Sequence, residues 1–258
     1  MKKLGSQTIK FENPPSIIGT ATIVGPKEGQ GRFKEYYDLI LKDSIYQEKS
    51  WEKAETKILK EAVEMAIKNS KVPTDKIEYL IAGDLLNQII SAGFAARELG
   101  LPFLGIYGAC STIAQGALLG SMIVDGGFAE NLVAAVSSHF CTAERQFRFP
   151  LELGNQRKPT SQWTVTGAGA MVISSQIQNP RITFATVGKV IDMGEADPND
   201  MGTAMAPAAV DTILRHFQDT GKTPDDYDLI LTGDLGSIGK HIAEELLKQK
   251  GYDISNKY

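Results

Sequence analysis

One stretch of the chain is written twice. Residues 72–86 read VPTDKIEYLIAGDLL and residues 223–236 read TPDDYDLILTGDLG. Each copy follows an amphipathic helical stretch and precedes another helix. Each also sets an aspartate, Asp84 or Asp234, at the carboxyl end of an apolar strand. Helix, Pro-Asp turn and strand is common βα grammar, but Gly-Asp-Leu after both strands points to duplication. The copies are unequal. Copy one continues from Asp84 through a helix, a strand, Cys110 and a long helix. Copy two reaches one helix and then the tail GYDISNKY, in which no strand or helix is evident. The expectation is two related halves, 1–175 and 176–258, with the second C-terminally incomplete and an insertion around 140–162 in the first.

Around the repeat, β-branched runs alternate with helical periods. Strands are expected at Ile17–Val24, Ile77–Ala82, Pro102–Ile106, Leu132–Ser138, Trp163–Ser174, Ile182–Asp192 and Tyr227–Thr232. Helices are expected at Trp51–Asn69, Ser91–Leu99, Ser111–Asp125, Pro207–Thr220 and Ile238–Lys250. In the first helix Ile58, Leu59, Ala62, Val63, Ala66 and Ile67 form one apolar stripe, with Glu and Lys opposite. This alternation predicts an α/β protein with helices packed on a largely central sheet. Phe140–Gln162 shows no clear period and reads as a loop-rich insertion. Gly25–Gly31 reads as a mobile loop, since it lacks the GxxxxGK[ST] phosphate-loop pattern.

Composition narrows the partners. With 258 residues, 42% hydrophobic, the chain has enough material for a real core. A formal net charge of -4 gives no general nucleic-acid footprint, so no nucleic-acid partner is expected. Lys2 and Lys3 are not followed by an apolar stretch, so no signal peptide is expected. No apolar run reaches the ~18 residues of a spanning helix, so any membrane link is expected to be peripheral. Cys110 and Cys141 lack zinc-site spacing, so no metal is expected and the compartment reads as reducing.

Cys110 stands between a strand and a helix in GIYGACSTIAQG, where Gly108 and Ala109 are small enough for a sharp turn. A thiol at a helix N-terminus is favoured as thiolate, the geometry of a nucleophile; a buried structural cysteine is the plainer reading. Ser138 and His139 close the strand ending AAVSS, where a side chain can face a ligand crevice. His216 and His241 lie among charged residues and read as solvated. Arg145 and Arg148, three apart and flanking Phe147, could grip a carboxylate while the ring stacks a flat ligand; a solvated loop is the alternative.

Ala109-Cys110-Ser111, the helix of small residues after it and Gly126-Gly127 resemble the active-site segment of thiolases and ketoacyl-ACP synthase III enzymes. TGAGAMVIS (166–174) resembles their Asp-Gly-Ala-Gly-Ala strand, with Thr166 in place of the Asp. Longer runs, among them IIGTATIVGPKEGQG, FKEYYDLILKD, IAGDLLNQ, YGACST, VSSHFCTAERQFRFPLELGNQR and SQWTVTGAG, resemble the stage V sporulation protein AD family of spore-forming Firmicutes over essentially the whole chain. The resemblance implies a thiolase-like duplicated α/β fold, layered αβαβα, and a homodimer. It puts Cys110 at the nucleophile position and implies no cofactor. The condensing enzymes also need a histidine after the strand of the second copy, but here Thr232, Gly233 and Asp234 stand there. A thiol without its oxyanion partners loses most of its use. The implied function is therefore non-catalytic: binding of dipicolinic acid (pyridine-2,6-dicarboxylate) for its uptake into the developing spore. The chain would act as a component of the SpoVA membrane complex, peripheral to the inner membrane of the forespore. The ligand-binding set expected is Cys110, His139, Ser138, Asp84, Arg145 and Arg148. The alternatives are an acyl-thioester transferase or condensing enzyme using Cys110, or a scaffold subunit.

Overall fold

The computed structural model describes residues 2–147, 160–197 and 199–258. They form two units that interleave along the chain: residues 11–147 with 164–183, and residues 2–10 with 160–163 and 184–258. In chain order the strands are β1 (Lys3–Leu4), β2 (Thr8–Lys10), β3 (Ser16–Val24), β4 (Leu39–Ile40), β5 (Tyr79–Gly83), β6 (Phe103–Gly105), β7 (Asn131–Ser138), β8 (Gly167–Ser174) and β9 (Phe184–Thr186). The helices are α1 (Trp51–Ser70), α2 (Ile90–Leu99), α3 (Thr112–Asp125), α4 (Phe140–Phe147), α5 (Met201–Thr220) and α6 (Gly236–Gln249).

The N-terminal unit holds a six-stranded sheet in the order β4-β3-β8-β7-β5-β6. Only β8 is antiparallel to its neighbours. Successive strand residues point to opposite faces, so Leu80 and Ile81 enter different cores. On one face α1 and α2 bury Ile58, Leu59, Ala62, Val63, Ala66 and Ala92 against Ile23, Leu80, Val133, Ala170 and Val172. On the other, α3 covers Ile81, Leu132 and Ile173. The crossing of α1 over β3 is close: a Cβ on Gly19 would come within 2.5 Å of Ala66 O and Ser70 N. Burial on both faces explains why these strands read as continuous apolar runs in the sequence.

The C-terminal unit pairs β1-β2-β9 into a small antiparallel sheet. Its core joins Ala206, Val210 and Phe217 of α5 to Leu235, Ala243, Leu247 and Ile254. Helix α5 begins six residues before the expected Pro207, because Asp200 caps it by accepting from Thr203 N (3.2 Å). Three further expectations change. Phe140–Phe147 is a helix, not loop. Strand structure within 182–192 is confined to Phe184–Thr186, where β2 supplies partners; beyond it Val190 is exposed. Tyr227–Thr232 joins no named strand, although Ile230 N donates to Lys257 O (2.7 Å). The tail is anchored, with Ile254 fully buried.

The duplication is visible as geometry repeated every 150 positions. Helices α1 and α5 each run 20 residues, from Trp51 and from Met201, and end in left-handed residues, Lys71 and Gly221. Single 3-10 turns follow at Thr74–Lys76 and Pro224–Asp226. Asp84 then accepts from Leu86 N (2.7 Å), and Asp234 from Gly236 N (2.9 Å).

Candidate functional site

Strand direction brings the carboxyl ends of β3, β5, β6 and β7 and the amino end of β8 to one edge of the N-terminal sheet. Open α/β sheets bind ligands along such an edge. Asp84 follows β5, Cys110 lies beyond β6, Ser138 and His139 end and follow β7, and Thr166 precedes β8.

Cys110 is exposed, in a 3-10 turn (Ala109–Ser111) that leads into α3. Ala109 is left-handed, with φ 47°. The turn is laced by Ser111 N to Gly108 O (2.9 Å), Ser111 Oγ to Gly108 O (2.7 Å) and Thr112 Oγ1 to Ala109 O (2.8 Å). A Cβ at Gly108 would lie 2.6 Å from Gln115 Oε1 and 2.7 Å from Ser111 Oγ, so a larger residue there would have to displace these two side chains. The thiol thus sits at the amino end of a 14-residue helix, whose dipole favours an anion.

Asp84 is buried and its carboxylate binds backbone. Its two carboxylate oxygens accept from Leu86 N and Ala92 N, each at 2.7 Å. This fixes the loop to α2, in which Gln88 and Ile89 take left-handed conformations (φ 62° and 46°). Gln146 of α4 clamps the same loop: Asn87 N donates to its Oε1 (3.1 Å) and its Nε2 donates to Leu85 O (3.3 Å). Tyr107 adds a bond from its hydroxyl to Leu85 O (3.4 Å).

Glu55 of α1 lies fully buried under this edge. Ser137 Oγ donates to its Oε1 (3.0 Å) and Thr142 Oγ1 to its Oε2 (3.2 Å). Burial, with the charge of Asp84 added, pushes its pKa up to about 7. Burial raises Asp84 as well. Sequence reasoning missed Glu55 by placing every Glu of α1 opposite the stripe. The signal was its spacing, since 55, 58–59, 62–63 and 66 fall on one face.

His139 is fully buried and neutral. Nε2 lies 2.8 Å from Ser44 O and so donates, while Nδ1 accepts from Cys141 N (3.2 Å). Burial lowers its pKa. Its ring stacks on Trp51 at 6.4 Å. Arg145 pairs with Glu52, and its guanidinium lies 5.9 Å from the centre of the Trp51 ring. Its aromatic neighbour is therefore Trp51. Of the expected ligand-binding set, His139 therefore has both ring nitrogens bonded to backbone groups, Arg145 is paired with Glu52, and Arg148 lies outside the described residues. Ser138 Oγ donates to Val165 O (2.6 Å), and Thr166 Oγ1 accepts from Phe140 N (3.0 Å). Thr166 N in turn donates to Glu28 Oε1 (3.1 Å), so the glycine-rich loop is tied to the same edge. The thiol of Cys141 is held protonated by burial and Glu144.

His216 is not simply solvated. In the C-terminal unit its Nδ1 lies 2.8 Å from Thr186 Oγ1 and its Nε2 2.5 Å from Tyr227 OH. His241 is exposed beside Glu244. In the same unit Thr232 Oγ1 bonds Tyr258 OH (2.7 Å), and Asp234 caps the turn before α6.

The profile of the family described as Stage V sporulation protein AD (SpoVAD) matches residues 5–258. The chain belongs to the SpoVAD family. Stage V sporulation protein AD of Bacillus subtilis (strain 168) is 48% identical over 258 residues, which are 100% of this chain and 76% of that protein. Among solved structures, 3-oxoacyl-(acyl carrier protein) synthase III (FabH) of Xanthomonas oryzae superposes with a TM-score of 0.64 at 16% identity, covering 97% of this chain and 85% of that one. A cerulenin-bound OleA variant of Xanthomonas campestris gives 0.67 at 16% identity, covering 96% and 82%. These neighbours show that this chain shares the α/β fold of the ketoacyl synthase III enzymes; at such identity they say nothing of chemistry.

Proposed function

We propose that this SpoVAD-family chain binds dipicolinic acid without turnover and serves its uptake into the developing spore as a component of the SpoVA complex. The observation that carries the reading is the state of His139. It is the only histidine of the unit that bears Cys110, and both its ring nitrogens are committed to backbone groups. General-base activation of a thiol needs a free nitrogen within hydrogen-bond reach. An exposed thiol at a helix amino end, beside a loop pinned by Asp84 and Gln146, is suited to holding an anion in place. For a dianionic flat ligand the candidate donors are the backbone N–H groups in the first turn of α3 beyond Ser111 and Thr112, which already donate to Gly108 O and Ala109 O. Arg145 is a second candidate if the ligand takes over its pairing from Glu52.

Family membership supports the sporulation role. No helix of the described residues is long and apolar enough to cross a membrane. A peripheral position at the inner membrane, held by other SpoVA proteins, fits that. A homodimer is the other partnership we propose, with β6 as a sheet-edge strand and Leu104 exposed on it.

The test is equilibrium dialysis against dipicolinate with recovery of the ligand, paired with intact-mass measurement after exposure to acetyl-CoA or malonyl-CoA. Saturable binding with unchanged ligand and no added mass is expected. Rapid stoichiometric acylation at Cys110 would overturn the reading in favour of an acyltransferase.

A further inference from the structure

Helix α4 follows β7 at the sheet edge where Asp84 and Cys110 lie, and it is held mainly by side chains from the first turns of α1. Trp51 stacks on His139 just ahead of α4, Glu52 pairs with Arg145, and Glu55 meets Thr142. Glu55 and Thr142 are buried, whereas Trp51 and Arg145 are exposed. At its other end Gln146 ties α4 to the loop that Asp84 organises. Among the described residues, none of α4 joins the hydrophobic clusters that fix its neighbours, β7 through Val133 and Ala135 and α2 through Ala92 and Ala95.

The hydrogen bonds around Glu55 suit a carboxylic acid better than a carboxylate. Thr142 has one hydroxyl hydrogen and two acceptors within reach, Glu55 Oε2 at 3.2 Å and His139 O at 3.0 Å. A proton on Glu55 resolves the competition: Glu55 donates to Thr142 Oγ1, and Thr142 donates to His139 O. Without that proton the hydrogen of Thr142 is drawn to the carboxylate, and a negative charge lies buried near Asp84. Among the described residues, the elements packed around Glu55 bring it no cation. β7 offers the hydroxyl of Ser137, and α2 that of Ser91; the charges of α2, Arg97 and Glu98, are exposed and paired with each other. Helix α4 carries Glu144 and Arg145, the latter paired with Glu52, and the pKa of His139 is lowered by burial. On α1 itself Lys57 turns to Glu48.

A buried charge of this kind is relieved by water, and water reaches Glu55 only when one of its covers moves. Lifting β7 or α2 would open an apolar core. Lifting α4 breaks mostly polar contacts, which water can replace. We infer that the proton on Glu55 holds α4 against α1, and that its loss lets α4 open locally, freeing Gln146 from the Asp84 loop and widening access to the sheet edge. The inference concerns the edge itself and does not depend on dipicolinate being its ligand.

The test is amide hydrogen exchange of the whole folded chain between pH 5 and pH 8, with rates converted to protection factors so that the intrinsic pH dependence of exchange drops out. Glu55 titrates near 7 while buried and near 4.5 once hydrated, so opening becomes easier as pH rises through that interval. The Ala143 and Glu144 amides of α4 are expected to lose protection about fifty- to hundredfold from pH 5 to pH 8. Local opening exposes little surface, so in low urea their protection is expected to hold while that of Val133 and Ala135 in β7 falls. Glu55→Gln has no proton to lose and is expected to abolish the pH dependence. Protection of α4 that stays level from pH 5 to pH 8, that falls in step with β7 in urea, or that keeps its pH dependence in E55Q would each overturn the proposal; the last would assign the effect to Asp84 or His139.

Discussion

Replacing Glu55 by Gln removes a titrating group from the core without changing its shape. Folded, Glu55 titrates near 7; unfolded, near 4.5. The folded chain therefore holds a proton that the unfolded chain has lost across that interval. Stability falls wherever the unfolded state binds fewer protons, so this residue makes the fold weaker as pH rises from about 4.5 to above 7. Its destabilisation is absent at pH 4 and complete by about pH 8. A tenfold change in acid strength is worth about 1.4 kcal/mol, which puts the full effect on the order of 3 kcal/mol. Gln stays neutral, and its carbonyl and amide can meet the Ser137 and Thr142 hydroxyls, each of which both donates and accepts. Glu55→Gln is thus expected to be within about 1 kcal/mol of the parent at pH 5 and about 2–3 kcal/mol more stable at pH 8.5. The assay is urea unfolding at both pH values in a Trp163→Phe background, leaving Trp51 as the fluorescent reporter of the N-terminal unit. An equal offset between variant and parent at the two pH values would refute the reasoning.

Asp84→Ala leaves the Leu86 and Ala92 amides buried without their carboxylate, and is expected to cost about 2–4 kcal/mol, read by urea unfolding, with faster amide exchange at Ala92. The His139 ring is expected to titrate below its ordinary 6.5 and to be the Nε2–H tautomer when neutral; a ¹⁵N NMR titration with a midpoint at or above 6.5 would contradict its burial and the acceptor role of Nδ1. Cys110→Ala is expected to leave the melting temperature nearly unchanged because the side chain is exposed, whereas Cys110→Trp should melt similarly and weaken dipicolinate binding at least tenfold; equal binding by both would remove Cys110 from the site.

The elements most legible in the sequence are those whose pattern a core dictates. β5 and β7 face a core on both sides and β3 and α1 on one, and the observed ends of all four lie within two residues of those expected. What the sequence hid depends on neighbours that it does not name. Tyr227–Thr232 has strand chemistry, but a ladder requires a second edge. Helix α4 is two turns long, too short for a period to stand out, and is held by Thr142, Ala143 and Glu144 packing inward. His216 sits among charged residues, a setting that reads as solvated. Its counterpart Ala66 lies in the middle of the α1 stripe, so the repeat carried the signal that the local composition masked. The site divides in the same way. The position of Cys110 at a strand-to-helix turn was readable from small residues and a helix start. The hydrogen bond that orients the His139 ring reaches Ser44, ninety-five positions away.

The central claim is that the chain recognises dipicolinate itself. Isothermal titration calorimetry of the folded chain with dipicolinate at neutral pH tests it directly. The account predicts a saturable exothermic isotherm that is absent with pyridine-2-carboxylate, which lacks the second carboxylate. A flat titration on a chain that still unfolds cooperatively, or identical isotherms for the two acids, would contradict it.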